Sequence, residues 1–270
     1  MMLPAPAAAL RRSFTAVLLG AGLCSTAAFA ETPEEKGLAI ARQADERTNG
    51  FADYTQTLTM TLRTKNGQEA TRELRFKVLE VPGDGDKSLT IFDQPKDVEG
   101  TALLSFAHKV GDDDIWLFLP ALKRVKRIAG SNKSGPFMGS EFAFEDFSSP
   151  ELEKYKYKFL RDDKHDGRDF HVVEAIPLDR NSGYSRTEVW FDKAELRAEK
   201  IDFFNKRGDL LKTQISSGYK KYLDRYWYPD RIDMSNHQSG RSTTLLNKNY
   251  KFRNGYTPRD FDQASLEAAR

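Results

Sequence analysis

The sequence predicts a mainly β protein built on one strongly curved antiparallel sheet. Apolar and polar residues alternate with a period of two in most segments after Phe51, and short turn signals separate these segments. Few segments have the signals of a helix. Because no linker rich in Pro, Gly or Ser interrupts the pattern, we expect a single domain over residues 31–270.

Residues 1–30 have the features of a secretory signal peptide. Two arginines precede an apolar run from Phe14 to Leu23, and Ala28-Phe29-Ala30 places small residues just before a cleavage point. We therefore expect export and cleavage after Ala30. A lipoprotein signal at Cys24 is disfavoured because Leu23 is too large, and a membrane anchor is disfavoured because the run is shorter than about 18 residues.

The composition of residues 31–270 excludes several classes of function. Cleavage removes the sole cysteine, so neither a disulfide nor a thiol nucleophile is available after export. It also removes two arginines, which leaves 40 basic against 40 acidic residues. A formally neutral chain is not expected to bind nucleic acid.

Turn and capping signals place the elements. Thr32-Pro33-Glu34-Glu35 predicts a helix start with a capping box, and Asn49-Gly50 predicts its end. Asn66-Gly67 predicts a hairpin between two long amphipathic strands. We expect a short turn of helix around 140–147 and a helix beginning at Thr257-Pro258. The other strands are predicted at 89–92, 102–108, 115–119, 155–161, 170–176, 187–191, 198–204, 211–219, 226–236 and 243–252.

An aromatic loop follows the strand at Ile115–Leu119. Gly135, Pro136 and Gly139 prevent one continuous strand or helix there, although the loop is rich in large apolar side chains. We interpret it as a mobile, weakly held flap or lid. Its apolar residues are Phe137, Met138, Phe142, Phe144 and Phe147.

A curved sheet of about a dozen strands has more apolar wall than short helices can cover. We expect this wall to enclose an apolar ligand. The alternative is that Phe and Tyr side chains fill the interior. If the assignment of inward-facing positions in a strand is wrong by one residue, all the predicted wall residues of that strand lie on the other face. The predicted wall residues are Tyr54, Leu58, Met60, Leu74, Phe76, Trp116 and Phe118.

A basic run lies between the strand and the aromatic loop. Lys123, Arg124, Lys126 and Arg127 have no acidic neighbour in sequence. One interpretation is a dock for anionic lipid headgroups or for a membrane partner. The other is an edge strand or hairpin protected by charge.

No catalytic group or metal site is predicted, and no cofactor is expected. Ser217 and Lys220 match an S-x-x-K spacing, but they lie in a strand pattern without companion motifs. The histidines lack metal-ligand spacing. The acidic runs 83–86 and 112–114 lack the ligand spacing of a calcium loop.

Several motifs together resemble the LolA-like outer-membrane lipoprotein-sorting family, in the branch associated with RND-type exporters. The resemblance covers nearly the whole chain after residue 30. It rests on Trp116–Pro120, Arg124–Ile128, Gly139–Phe142, Glu145–Phe147, Val189–Asp192, Lys200–Phe204, Tyr226–Pro229 and Arg231–Met234.

The resemblance implies an unclosed β-barrel with short helices as a lid, located in the periplasm. It implies a carrier that takes acyl chains of a lipid or lipoprotein towards an outer-membrane acceptor, with an inner-membrane RND-type transporter as partner. The alternatives are a sensor of lipid or lipoprotein with the same fold, and a hydrolase of lipid or glycan, for which no nucleophile and base can be named.

Overall fold

The computed structural model describes residues 31–267, and the predicted signal peptide lies outside this range. Helix α1 (Pro33–Thr48) begins as the sequence predicts. The Thr32 hydroxyl accepts a hydrogen bond from the Glu35 backbone N–H, and the Glu35 carboxylate accepts one from the Thr32 N–H. The helix ends before Asn49, whose backbone is extended.

Thirteen antiparallel strands form one sheet, which confirms the predicted fold class. The hairpin turn at Asn66-Gly67 joins the first two strands in the predicted way. The strands are Asp53–Arg63 (β1), Glu69–Leu79 (β2), Lys87–Gln94 (β3), Ala102–Phe106 (β4), Asp114–Leu119 (β5), Arg124–Arg127 (β6), Tyr155–His165 (β7), Arg168–Pro177 (β8), Tyr184–Asp192 (β9), Ala198–Asn205 (β10), Leu210–Tyr222 (β11), Tyr226–Asn236 (β12) and Ser242–Phe252 (β13).

The strand order places two sequence neighbours at opposite edges of the sheet. The order is β6-β5-β4-β3-β2-β1-β13-β12-β11-β10-β9-β8-β7, so β1 pairs with β13 and the sheet stays open between β6 and β7. The chain from β6 to β7 must therefore cross the whole sheet. Residues 128–154, here called the crossing segment, make this connection with four short 3₁₀ turns.

The two faces of the sheet have separate cores. The inner face is defined here by Tyr54, Leu58 and Met60 of β1, and the crossing segment packs on it. On the outer face, Phe261 and Leu266 cover the aliphatic residues of β3 and β4. Leu266 belongs to the short helix α2 (Gln263–Glu267), which follows a 3₁₀ turn at Pro258–Phe261.

The crossing segment, and not a helix, covers the buried cluster around Leu58, Met60 and Leu74 on the inner face. Helix α1 lies against β7, where the Cα of Gly37 comes so close that an added Cβ would be 2.5 Å from the Phe159 backbone nitrogen. Helix α2 lies on the outer face. Within residues 31–267, no helix has the length and apolar character needed to cross a bilayer.

Candidate functional site

Five of the predicted wall residues share the inner face. Leu58 pairs with Leu74 in the β1–β2 register, and side chains opposite each other in an antiparallel pair lie on the same face. Leu58, Met60 and Leu74 are almost completely buried in one cluster with the crossing segment. Tyr54 lies further along the same face with Phe76, in a cluster of rings.

Trp116 and Phe118 lie on the outer face, so their assignment to the inner wall is wrong. They pack with Leu104 and Phe261, whereas Ile115 and Leu117 of the same strand belong to the inner cluster. Strand β5 is apolar on both faces because both are covered. Alternation alone could not identify which face of such a strand points inward.

Other inner-wall residues were not singled out from the sequence. Met234 of β12 is completely buried, Leu245 of β13 is 5% exposed, and Phe203 of β10 is 8% exposed. Their strands were predicted from alternation. Their position on the same face as the wall residues of β1 and β2 depends on the pairing of β1 with β13, which no local pattern reveals.

The aromatic loop is part of the crossing segment and packs into the inner face. Phe137 is completely buried and Phe142 is 4% exposed. The Phe137 ring lies 4.4 Å from the Phe147 ring and 5.6 Å from that of Phe92 on β3, centroid to centroid. Met138 and Phe144 are partly buried against the same cluster. The space over the inner face is thus occupied by the protein's own rings. This is the alternative in which aromatic side chains fill the interior.

A buried ion pair fastens the crossing segment to the sheet. Lys212 of β11 and Asp146 have side chains only 4% and 7% exposed, and the Lys212 Nζ is 2.6 Å from an Asp146 Oδ. Asp146 also accepts hydrogen bonds from the Tyr184 hydroxyl and the Ala143 N–H, both at 2.7 Å. Burial, followed by the charge of Asp146, raises the pKa of Tyr184 well above its ordinary value.

Glu141 makes a second set of contacts between the crossing segment and the sheet. Its carboxylate is 3.0 Å from the Arg241 Nε and accepts a hydrogen bond of 2.7 Å from Asn236. Its backbone N–H donates to the Thr243 hydroxyl at 3.0 Å. With the Lys212–Asp146 pair, these contacts correct the expectation of a weakly held flap. Removing one partner of a buried pair of this kind costs about 3–5 kcal/mol.

Two carboxyl groups near the end of the crossing segment have raised pKa values. Burial raises the pKa of Asp86 to about 6, although the Ser149 hydroxyl donates to it at 3.1 Å. Burial, and then the charge of Asp86, raise the pKa of Glu151 to about 7. Both groups therefore change protonation near neutral pH.

A groove of about 720 Å³, here called the polar groove for the charged, hydroxyl and amide residues in its lining, opens between the crossing segment and the ends of β11 and β12. Phe142 and Tyr184 contribute apolar surface to it, and the wall residues named above on β1 and β2 do not line it. The remaining lining is dominated by hydroxyl, amide and cationic side chains. The groove is reached from solvent without moving the aromatic rings.

The basic run forms β6, an edge strand, and the turn before it. Lys123 occupies the left-handed region at the turn, with φ of 47°. Arg124 and Lys126 pair with Leu119 and Leu117 and are exposed. Arg127 forms an ion pair with Asp114, whereas the other three have no salt-bridge partner among residues 31–267. The structure thus places the run at a solvent-accessible edge.

The residues considered for catalysis are engaged elsewhere. The Lys220 Nζ is 2.6 Å from Asp230, while Ser217 lies in the β11–β12 ladder opposite Arg231. His108 contacts Asp84 and Asp114. Within the part of the chain that the structure describes, no group of three or more acidic, His or Cys side chains could hold a metal ion.

The open antiparallel sheet with few helices is a LolA-like half-barrel fold. A LolA superfamily protein from Nitrosomonas europaea has this fold, with a TM-score of 0.69, 22% identity and coverage of 85% of this chain and 98% of that one.

Two solved structures are more similar. An outer membrane lipoprotein-sorting protein domain from Vibrio parahaemolyticus is 51% identical, with a TM-score of 0.85. A DUF1329 family protein from Desulfovibrio piger ATCC 29098 is 26% identical, with a TM-score of 0.83. Each match covers 87% of this chain and 99% of the other.

A family model described as "-like: Uncharacterized protein" matches residues 84–268, more than half of the chain. No curated protein matches the sequence. The chain belongs to the LolA-like outer-membrane lipoprotein-sorting family, as the sequence motifs predicted.

Proposed function

We propose that the protein is a periplasmic carrier that binds acyl chains of a lipid or lipoprotein on the inner face of its sheet. The observation that carries this proposal is the cover of that face. The apolar wall extends across the sheet from β5 through β1 and β13 to β10. It is covered by the crossing segment and not by helices. In a family of lipoprotein-sorting proteins, such a cover can yield to an incoming chain.

The energetics allow this exchange. Removing a sixteen-carbon chain from water contributes on the order of 10 kcal/mol, from roughly 0.8 kcal/mol per methylene. For comparison, removing one partner of the buried Lys212–Asp146 pair is expected to cost about 3–5 kcal/mol. The displaced rings, Phe144 and Phe147 among them, would pack on the acyl chain and remain out of water.

The test is uptake of a neutral fluorescent acyl ester by the purified protein, with mass spectrometry of material extracted from it. Phe144→Ser should increase the acyl off-rate several-fold. Phe118→Ser is the matched control, since Phe118 is an equally half-buried ring on the outer face. Equal effects of the two substitutions, or no uptake by the wild type, would contradict the proposal.

The proposal includes a route of delivery. Export would depend on residues 1–30, and N-terminal sequencing of the exported protein should begin at Glu31. The exposed basic residues Lys123, Arg124 and Lys126 would meet an anionic bilayer or an acidic surface of an inner-membrane RND-type transporter. Cargo would pass to an outer-membrane acceptor.

Charge reversal tests the basic edge. Arg124→Glu with Lys126→Glu should reduce binding to anionic vesicles at low salt, with a smaller difference at high salt. The reversal Arg63→Glu, at an exposed position of the β1–β2 hairpin, serves as control. Unchanged binding would indicate that the basic run serves only to protect the edge of the sheet.

A further inference from the structure

We propose that the polar groove binds a phosphate ester, as the headgroup of an anionic lipid whose acyl chains enter beneath the crossing segment. This inference rests on the proposed carrier function and adds the class of headgroup. The groove lies where the crossing segment, the loop before β9 and the ends of β11 and β12 meet. A ligand held there would sit beside the segment that must move.

The charge of the groove is positive. Four cationic side chains line it, and Glu141 is the acidic residue among its lining. Lys212 is neutralised by Asp146, and Arg241 by Glu141. The remaining two, Arg180 and Lys206, are exposed and have no salt-bridge partner within residues 31–267. The groove therefore has two uncompensated cations facing one space.

These cations are placed for an anion. The Lys206 Nζ donates one hydrogen bond, of 3.0 Å, to the Tyr184 carbonyl oxygen and keeps further N–H donors. Arg180 presents a guanidinium with its planar donor geometry, which suits phosphate. Hydroxyl groups of Ser131, Ser134 and Ser239 line the same space and supply neutral donors.

The apolar part of the lining favours a lipid over free phosphate. Phe142 and Leu211 face the groove beside the polar groups. Phe142 also belongs to the buried cluster of the inner face, so it contacts both compartments. A glycerol phosphate in the groove would place its first acyl methylenes against Phe142, at the entrance to the inner wall.

The test uses calorimetric titration of the purified protein with four ligands. They are inorganic phosphate, glycerol phosphate, dihexanoyl phosphatidylglycerol and the neutral amphiphile hexyl glucoside. The double variant Arg180→Gln, Lys206→Gln removes both free cations. The matched control Lys248→Gln, Lys251→Gln removes two exposed cations from β13 that do not line the groove.

We expect dihexanoyl phosphatidylglycerol to bind more tightly than glycerol phosphate, and hexyl glucoside not to bind in the groove. The groove variant should weaken both phosphate esters by at least about tenfold, as loss of charge-assisted hydrogen bonds implies. The control should bind like the wild type. Melting temperatures of both variants should match the wild type, since all four side chains are exposed.

Equal affinities of wild type and groove variant would overturn the headgroup site. Phosphate binding as tight as dihexanoyl phosphatidylglycerol would overturn the lipid assignment in favour of a free-anion site. Uptake of the neutral acyl ester is measured on the same samples. If the acyl ester is taken up but the phosphate esters do not bind in the groove, the carrier proposal stands without the headgroup site. If the phosphate esters bind but the acyl ester is not taken up, the carrier proposal fails.

Discussion

The ion pair between Lys212 and Asp146 should be strongly coupled, and a double-mutant cycle measures this. Asp146→Asn keeps the side-chain size but leaves the Lys212 ammonium, 4% exposed, without a counter-charge. We expect this change to lower the free energy of unfolding by about 3–5 kcal/mol. Lys212→Met leaves Asp146 with its hydrogen bonds from Tyr184 and Ala143 and should cost less.

The double variant should be more stable than the sum of the single effects predicts, by at least about 2 kcal/mol. Arg63 and Glu69 give the matched control, since this ion pair of 2.6 Å has side chains 49% and 47% exposed. Its coupling energy should stay below about 1 kcal/mol. The assay is urea unfolding followed by far-UV circular dichroism. A coupling at Lys212–Asp146 no larger than that of the control would refute the description of this pair as a structural anchor.

Three further predictions concern stability. Phe137→Ala should cost about 3–5 kcal/mol in chemical unfolding, since the ring is completely buried, and a loss under 1 kcal/mol would show that it is not core. Gly37→Ala should cost about 1–3 kcal/mol, because the new Cβ would meet the β7 backbone at 2.5 Å, and an unchanged melting temperature would disprove this contact. Burial raises the pKa of Asp86 from 3.8 to about 6, so the folded state binds more protons between these values and the free energy of unfolding falls as pH rises through them, by at most about 3 kcal/mol. Asp86→Asn should flatten that part of the pH profile, and an unaltered slope in the variant would assign it to other groups.

Much of the fold could be predicted because its signals are local. The capping box at Thr32 and the hairpin at Asn66-Gly67 each involve residues close in sequence, and both form as predicted. Alternation identified the strands of the open sheet other than β6. The inward choice for Leu58 and Met60 followed from amphipathic strands with one polar face.

The candidate site was less predictable because it depends on distant contacts. Trp116 was placed on the wrong face since Phe261, far along the chain, covers the outer side of β5. The cover over the inner face results from the strand order, which sends residues 128–154 from one edge to the other. The Lys212–Asp146 pair joins residues 66 positions apart, and no motif marks it.

The two covered faces of β3 and β4 imply an uneven distribution of local stability. Phe92 and Leu103 are buried under the crossing segment, while Leu89 and Leu104 are buried under the C-terminal turn and helix. Strand β7, by contrast, is an edge with largely exposed or half-buried residues. Backbone amides of β3 and β4 should therefore exchange with deuterium only on global unfolding, and those of β7 through local opening. Widening of the interior for a guest would thus involve the β7 side of the sheet, with the β3–β4 side as a fixed support.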